Sequence, residues 1–210
     1  MNGAPSTGAS LTSERHRHAL AWLWLLGSGC SAASSSSLPQ HVPAGLEHHA
    51  GASFVQARAH YGVPILQKSI FWDGNGEVDN FGPGVYVFHH LTDAVAIGAG
   101  GNLTTWLTPG HSVYSAEVEA LLRAYPMGNC PLFLDLTGGF VQATDPIPPE
   151  GTEWNFSFSF GPGLELPTAK GTALLVACDY HHISNALGRD SSRNPSQNEA
   201  RAWIGYAWTF

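Results

Sequence analysis

Near the C-terminal end of the chain, His182 and Ser184 stand two residues apart, and Asn198 and Glu199 follow after a short polar segment. A histidine and a serine at that spacing suit nucleophilic hydrolysis. A serine hydroxyl is a poor nucleophile at neutral pH, so a histidine must take its proton and a third group must hold the imidazole in the useful tautomer. On an extended strand, residues two apart lie about 6 to 7 Å from each other with parallel side chains, which permits the contact.

Two strand-like runs position these groups. In the first, Leu174, Val176, Cys178, Tyr180, His182 and Ser184 share one parity, while Ala173, Ala177, Asp179 and His181 take the other. In the second, Ala200, Ala202, Ile204, Tyr206, Trp208 and Phe210 form the apolar parity, opposite Arg201, Trp203, Gly205, Ala207 and Thr209. Counting back along the apolar parity reaches Asn198 and skips Glu199. His182, Ser184 and Asn198 therefore sit at the end of greasy faces. That placement is unusual for a barrel in water but puts polar chemistry at head-group depth in a membrane barrel.

The whole chain fits that class. It has 210 residues, 43% hydrophobic and only 12% charged, with 24 glycines. The formal net charge is -7 and the nine Lys and Arg residues form no stripe, so nothing favours nucleic acid and none is expected as a partner. No apolar run approaches the roughly 18 to 20 residues of a spanning helix. A membrane location then requires a closed barrel, which alone satisfies every strand's backbone in lipid.

The first 33 residues read as a signal peptide: Arg15 and Arg17, an apolar stretch from Ala19 to Leu26, then small residues with cleavage near Ala32 or Ala33. A lipoprotein signal ending before Cys30 is the alternative. Residues 34–50, with serines at 34–37, read as a linker. Cys130 and Cys178, in the mature domain, are expected to be unpaired.

From residue 51 onward the chain divides into eight runs: 52–61, 78–90, 94–107, 113–124, 131–142, 153–166, 172–185 and 199–210. In the sixth, Trp154, Phe156, Phe158 and Phe160 alternate with Asn155, Ser157 and Ser159, a half-apolar strand. The fourth also fits an amphipathic helix, with the alternation of Tyr114, Ala116, Val118, Ala120 and Leu122 against Glu117, Glu119 and Arg123 favouring a strand. Connections at 92–93, 126–129 and 167–171 are turn-like, whereas those at 62–77, 108–112, 143–152 and 186–197 are mostly longer. This predicts an all-β fold, an eight-stranded antiparallel up-and-down transmembrane β-barrel in a Gram-negative-type outer membrane. Short turns lie on the periplasmic side with the C-terminus, and the reactive residues beside the extracellular rim. Eight strands leave an interior that side chains fill, with Asp135, Glu117, Glu119, Asp179 and Arg123 as its polar core. Tyr206, Trp208 and Phe210 read as an interfacial girdle and an assembly signal.

The segment His182-Ile183-Ser184-Asn185-Ala186, followed by Asn194-Pro195-Ser196-Gln197-Asn198 and a final aromatic strand, resembles the PagL-type lipid A 3-O-deacylases, or acyloxyacyl hydrolases. The motif covers about the last 30 residues. The resemblance implies His182 as general base, Ser184 as nucleophile and lipid A or a related ester glycolipid as substrate. The family's third member is a Glu at the start of the last strand. Here the register puts Asn198 in that place, with Glu199 as the alternative if a bulge turns it outward. An oxyanion hole is implied at Asn185, assisted by a backbone amide near Leu187 or Gly188. No cofactor is expected. The pairs His48-His49, His89-His90 and His181-His182 offer at most one ligand per strand face, so no metal is expected either. The competing expectation is a non-catalytic structural or adhesion barrel, and a homodimer is left open. A contact joining Ser184, His182 and a third polar group favours the enzyme; isolation of either residue favours the non-catalytic barrel.

Overall fold

The computed structural model describes residues 45–65, 74, 76–127, 130–187 and 194–210. The chain divides into residues 1–40 and a unit of residues 41–210. The signal peptide, Cys30 and the serine run fall outside the described residues.

The second unit holds eight strands: β1 (Ser53–Pro64), β2 (Asn80–Thr92), β3 (Val95–Thr108), β4 (His111–Ala124), β5 (Leu132–Ile147), β6 (Thr152–Ala169), β7 (Thr172–Ser184) and β8 (Ser196–Thr209). Each pairs antiparallel with its sequence neighbour, and β1 pairs with β8 to close the barrel. The fourth run is a strand throughout. Its glutamates alternate inward with Arg123, a period of two that a helix cannot satisfy.

The barrel is polar inside and apolar outside. Val85, Leu103, Tyr114, Val118, Leu136, Phe156 and Ile204 are exposed on the outer wall, whereas Arg58, Glu117, Glu119, Arg123, Asp179 and Arg201 are buried within. Only a bilayer makes that arrangement favourable, because lipid takes up the apolar belt and the closed ladder leaves no unpaired backbone edge. Arg123 holds Asp135 through two bonds of 2.7 Å each, from Nε and Nη2, and lies 4.0 Å above the Phe133 ring. Arg58 donates to Glu119 at 3.0 Å and to the Tyr86 hydroxyl, and stacks on the Tyr86 ring. Arg201 donates to Asp179 at 3.0 Å. Gly100 makes room for this filling: a Cβ there would lie 2.5 Å from the Tyr86 ring.

Two of the departures from the sequence reading concern how the chain is connected. Strands β5 and β6 run beyond residues 142 and 153, joined at Ile147 and Thr152 after a register shift. The expected loop at 143–152 is thus mostly a strand extension beyond an irregularity, with a turn only at 148–151. Residues 45–50, assigned to the linker, pack on the barrel instead. Leu46 is buried, His48 Nε2 lies 2.8 Å from Glu165 Oε1, and the Gly45 carbonyl accepts from the Gly171 amide. The apolar Leu46 gains by covering the end of the core, which composition alone does not reveal.

Candidate functional site

The last turn of β7 and the start of β8 lie side by side at the rim opposite Phe210. Their register pairs Ser184 with Ser196, His182 with Asn198, His181 with Glu199 and Tyr180 with Ala200, with no irregularity. On the other flank, Phe156, Phe158 and Phe160 of β6 face Ser184, His182 and Tyr180. Three outward rows result, with His182 and Asn198 in the middle one.

Asn198 is the residue that contacts His182. The imidazole Nδ1 lies 2.7 Å from Asn198 Oδ1, and the Tyr180 hydroxyl donates to the same oxygen at 2.6 Å. An amide oxygen only accepts, so Nδ1 carries the hydrogen and Nε2 is left with its lone pair, the form a general base needs. The Phe158 ring stands 5.4 Å from the imidazole. The Asn198 carbonyl accepts from the Ile65 amide at 2.7 Å, which ties the site to the end of β1.

Glu199 points the other way. With no bulge in the β7–β8 ladder it faces inward and is fully buried. His181 Nδ1 lies 2.9 Å from its Oε2, while Asn80 Nδ2 donates to Oε1 at 2.8 Å and Gln197 Nε2 donates to the same oxygen. Gly62 leaves the space, since a Cβ there would lie 2.9 Å from Glu199 Oε2. Two histidine–acceptor pairs therefore sit back to back across the wall, His181–Glu199 inside and His182–Asn198 outside. Alternation splits the His181-His182 pair between the faces.

Ser184 occupies the next outward row, and among the described residues no hydrogen bond joins its Oγ to the His182 ring. Asn185 closes an Asx-type turn: its Oδ1 accepts from the Leu187 amide at 3.0 Å, and its own amide donates to Asn194 Oδ1 at 2.9 Å. The backbone amides of Asn185 and Leu187 are thus both engaged within this turn. Ala186 follows with φ 61°, a left-handed conformation uncommon outside glycine. Gly188, Arg189 and Arg193 lie outside the described residues.

The site is covered. His182 is 3% exposed, Ser184 6% and Asn198 1%, although all three have outward parity. Gly74, in the β1–β2 connection, packs on Asn198: a Cβ at residue 74 would lie 2.7 Å from Asn198 Nδ2. The pairing of Gly76 with Ser196, through a bond of 2.9 Å from amide to carbonyl, continues that cover. Sequence reasoning missed both this cover and Tyr180. The signal for Tyr180 was present, since it precedes His182 by two residues on the same parity.

At the barrel's other end, the rings of His48 and His90 approach to 5.1 Å, which no sequence spacing suggests. Among the described residues no group of three metal-ligating side chains converges.

The fold and its inverted polarity define a transmembrane β-barrel of the outer-membrane type, with a polar histidine cluster at the rim opposite the C-terminus. The barrel is similar to the outer membrane protein OprG from Pseudomonas aeruginosa, at 13% identity over 78% of this chain and 97% of that one, TM-score 0.49. It is also similar to a barrel from the de novo design of transmembrane beta-barrels, at 14% identity over 79% and 100%, TM-score 0.41. The translocator domain of the autotransporter NalP from Neisseria meningitidis aligns at 10% identity over 95% and 97%, TM-score 0.34. No protein-family model and no curated protein matches the sequence. Function has to be read from the side chains.

Proposed function

We propose that this barrel is an outer-membrane serine esterase that removes an ester-linked 3-O-acyl chain from lipid A, in the manner of the PagL-type deacylases its C-terminal motif resembles. The observation that carries the reading is the 2.7 Å contact between His182 Nδ1 and Asn198 Oδ1, at the end of an outward face. It supplies the orienting arm of a hydrolytic triad on an outward row, under a cover that a lipid's ester has to displace to reach it.

Ser184 Oγ attacks the ester carbonyl carbon while His182 Nε2 takes its proton. The tetrahedral oxyanion is held by donors near Asn185, an interaction worth a few kcal/mol in such sites. Collapse breaks the bond to the sugar oxygen, which leaves as the hydroxyl with the proton from His182. Water then repeats the sequence on the acyl-serine and releases the hydroxy acid. The role requires Ser184 Oγ to come within hydrogen-bond reach of His182 Nε2. Catalytic hydrogen bonds often form only once substrate is bound, and this role requires that contact to form then.

A second reading is a non-catalytic structural or adhesion barrel, favoured by that same missing contact between Ser184 and His182. Mass spectrometry of lipid A from cells making the chain separates the two. The esterase predicts loss of one hydroxyacyl mass with wild type, and none with Ser184→Ala or His182→Ala variants that still fold. Unchanged lipid A around a folded wild-type barrel would leave the non-catalytic reading.

A further inference from the structure

We infer that Gln197 is a latch: its side chain holds residues 76–78 across the start of β8, and the cover over the outward site opens when that hold is released. Gln197 has inward parity, one residue before Asn198, and is fully buried. Its amide grips the backbone of Val78, accepting from the Val78 amide at 2.9 Å and donating to the Val78 carbonyl at 2.7 Å. Val78 offers one donor and one acceptor, so the Gln197 amide has a single way round. The second hydrogen of its NH2 goes to Glu199, which Asn80 also holds at 2.8 Å.

The covering strap crosses the edge of the wall. Val78 lies inside, buried in the cluster at the barrel mouth that includes Trp106, Ile147 and Ile183. Gly76 lies over the edge, where its amide donates to the Ser196 carbonyl at 2.9 Å. Gly74 lies on the outward side against Asn198. Two glycines let the backbone come this close: a Cβ at residue 76 would stand 2.5 Å from Gln197 Oε1 and 2.9 Å from Pro148 Cβ, and one at residue 74 would stand 2.9 Å from the Asn198 backbone nitrogen. On the far side of Val78 the chain is fixed, since the Asp79 carbonyl accepts from the Leu107 amide at 2.8 Å and β2 starts at Asn80. Strand β8 is fixed too, by its unbroken ladder to β7. Gln197 therefore grips the strap at the point where it leaves the ladder, and local opening is easiest for backbone that no ladder holds.

That opening admits a lipid ester rests on the esterase reading, whereas the latch itself does not. The test is modification of the full chain by diethyl pyrocarbonate in detergent micelles, with the rate at each histidine read by mass spectrometry. In wild type His182 should react slowly, like the interior His60 and His181, while the exposed His111 reacts fast. In Gln197→Ala the loss of both bonds to Val78 should raise the His182 rate about tenfold, with His60 and His181 still slow. Gly76→Val keeps Gln197 and wedges the strap away from β8; it should unmask His182 in the same way, and it serves should Gln197→Ala not fold. A His182 rate unchanged in the folded variants overturns the latch. So does a joint rise at His182, His60 and His181, which would make Gln197 a support of the wall rather than of the strap. Acyl release from lipid A is measured alongside. His182 unmasked in the variants of a chain whose wild type releases no acyl chain would sink the esterase and leave the latch standing; release by wild type with His182 still masked in both variants would do the reverse.

Discussion

At the scale of single residues, the site turns on which way neighbouring side chains point. Asn198 and Glu199 differ by one position, and a strand sends one outward to His182 and the other inward to His181. Their replacements should have different effects. Asn198→Ala removes the imidazole's acceptor; the proposed esterase predicts a roughly 100-fold loss of acyl release in micelles, with activity retained in Asn198→Asp. Glu199→Ala leaves His181 and Asn80 with a lost buried partner and should act first on stability, costing about 3 kcal/mol or more in a urea titration. An effect of Glu199→Ala on turnover with no loss of stability would show that the inner pair takes part in the chemistry. The choice between Asn198 and Glu199 was legible from parity, given a ladder free of bulges. The cover over the site was not, because the approach of Gly74 to Asn198 joins residues 124 positions apart whose contact no local pattern encodes.

At the scale of elements, eight alternating segments were visible because a period of two repeats in each, and the observed strands fall on them to within a few residues at most ends. The ends that moved are those where pairing, not composition, decides. Strand β8 begins at Ser196 because Ser184 of β7 offers a partner there, and β1 extends to Pro64 against Glu199. The inward faces carry the specific contacts. Arg123 on β4 and Asp135 on β5 form a two-pronged pair with Gln56 of β1 accepting at 3.0 Å, which draws three strands together. Arg123→Met should cost about 3–5 kcal/mol by leaving a buried carboxylate alone, and Arg123→Met with Asp135→Leu should recover much of that loss. Urea unfolding of both variants in lipid vesicles measures the difference. If the double variant is no more stable than the single one, the pair is not an isolated unit of the core.

At the scale of the whole molecule, closure and polarity belong together. Joining β1 to β8 removes the last open edge, and the apolar outer wall with its polar filling then requires a bilayer. Val118, 65% exposed at the middle of β4, should tolerate Arg poorly, at about 2–4 kcal/mol, while Tyr206 near the end of β8 should cost about 0–1. Equal costs at the two positions would mean that the apolar belt is not centred on the strands. By itself the sequence determined the strand number, the face of each side chain and the outward parity of His182, Ser184 and Asn198, because alternation is local and needs no partner. Only the tertiary structure decided that Tyr180 reaches Asn198, that Glu199 is locked inside by Asn80 and Gln197, and that residues 45–50 pack against the barrel. Those outcomes depend on register between strands and on the closing of the ring, and contacts made across space leave no period in the chain.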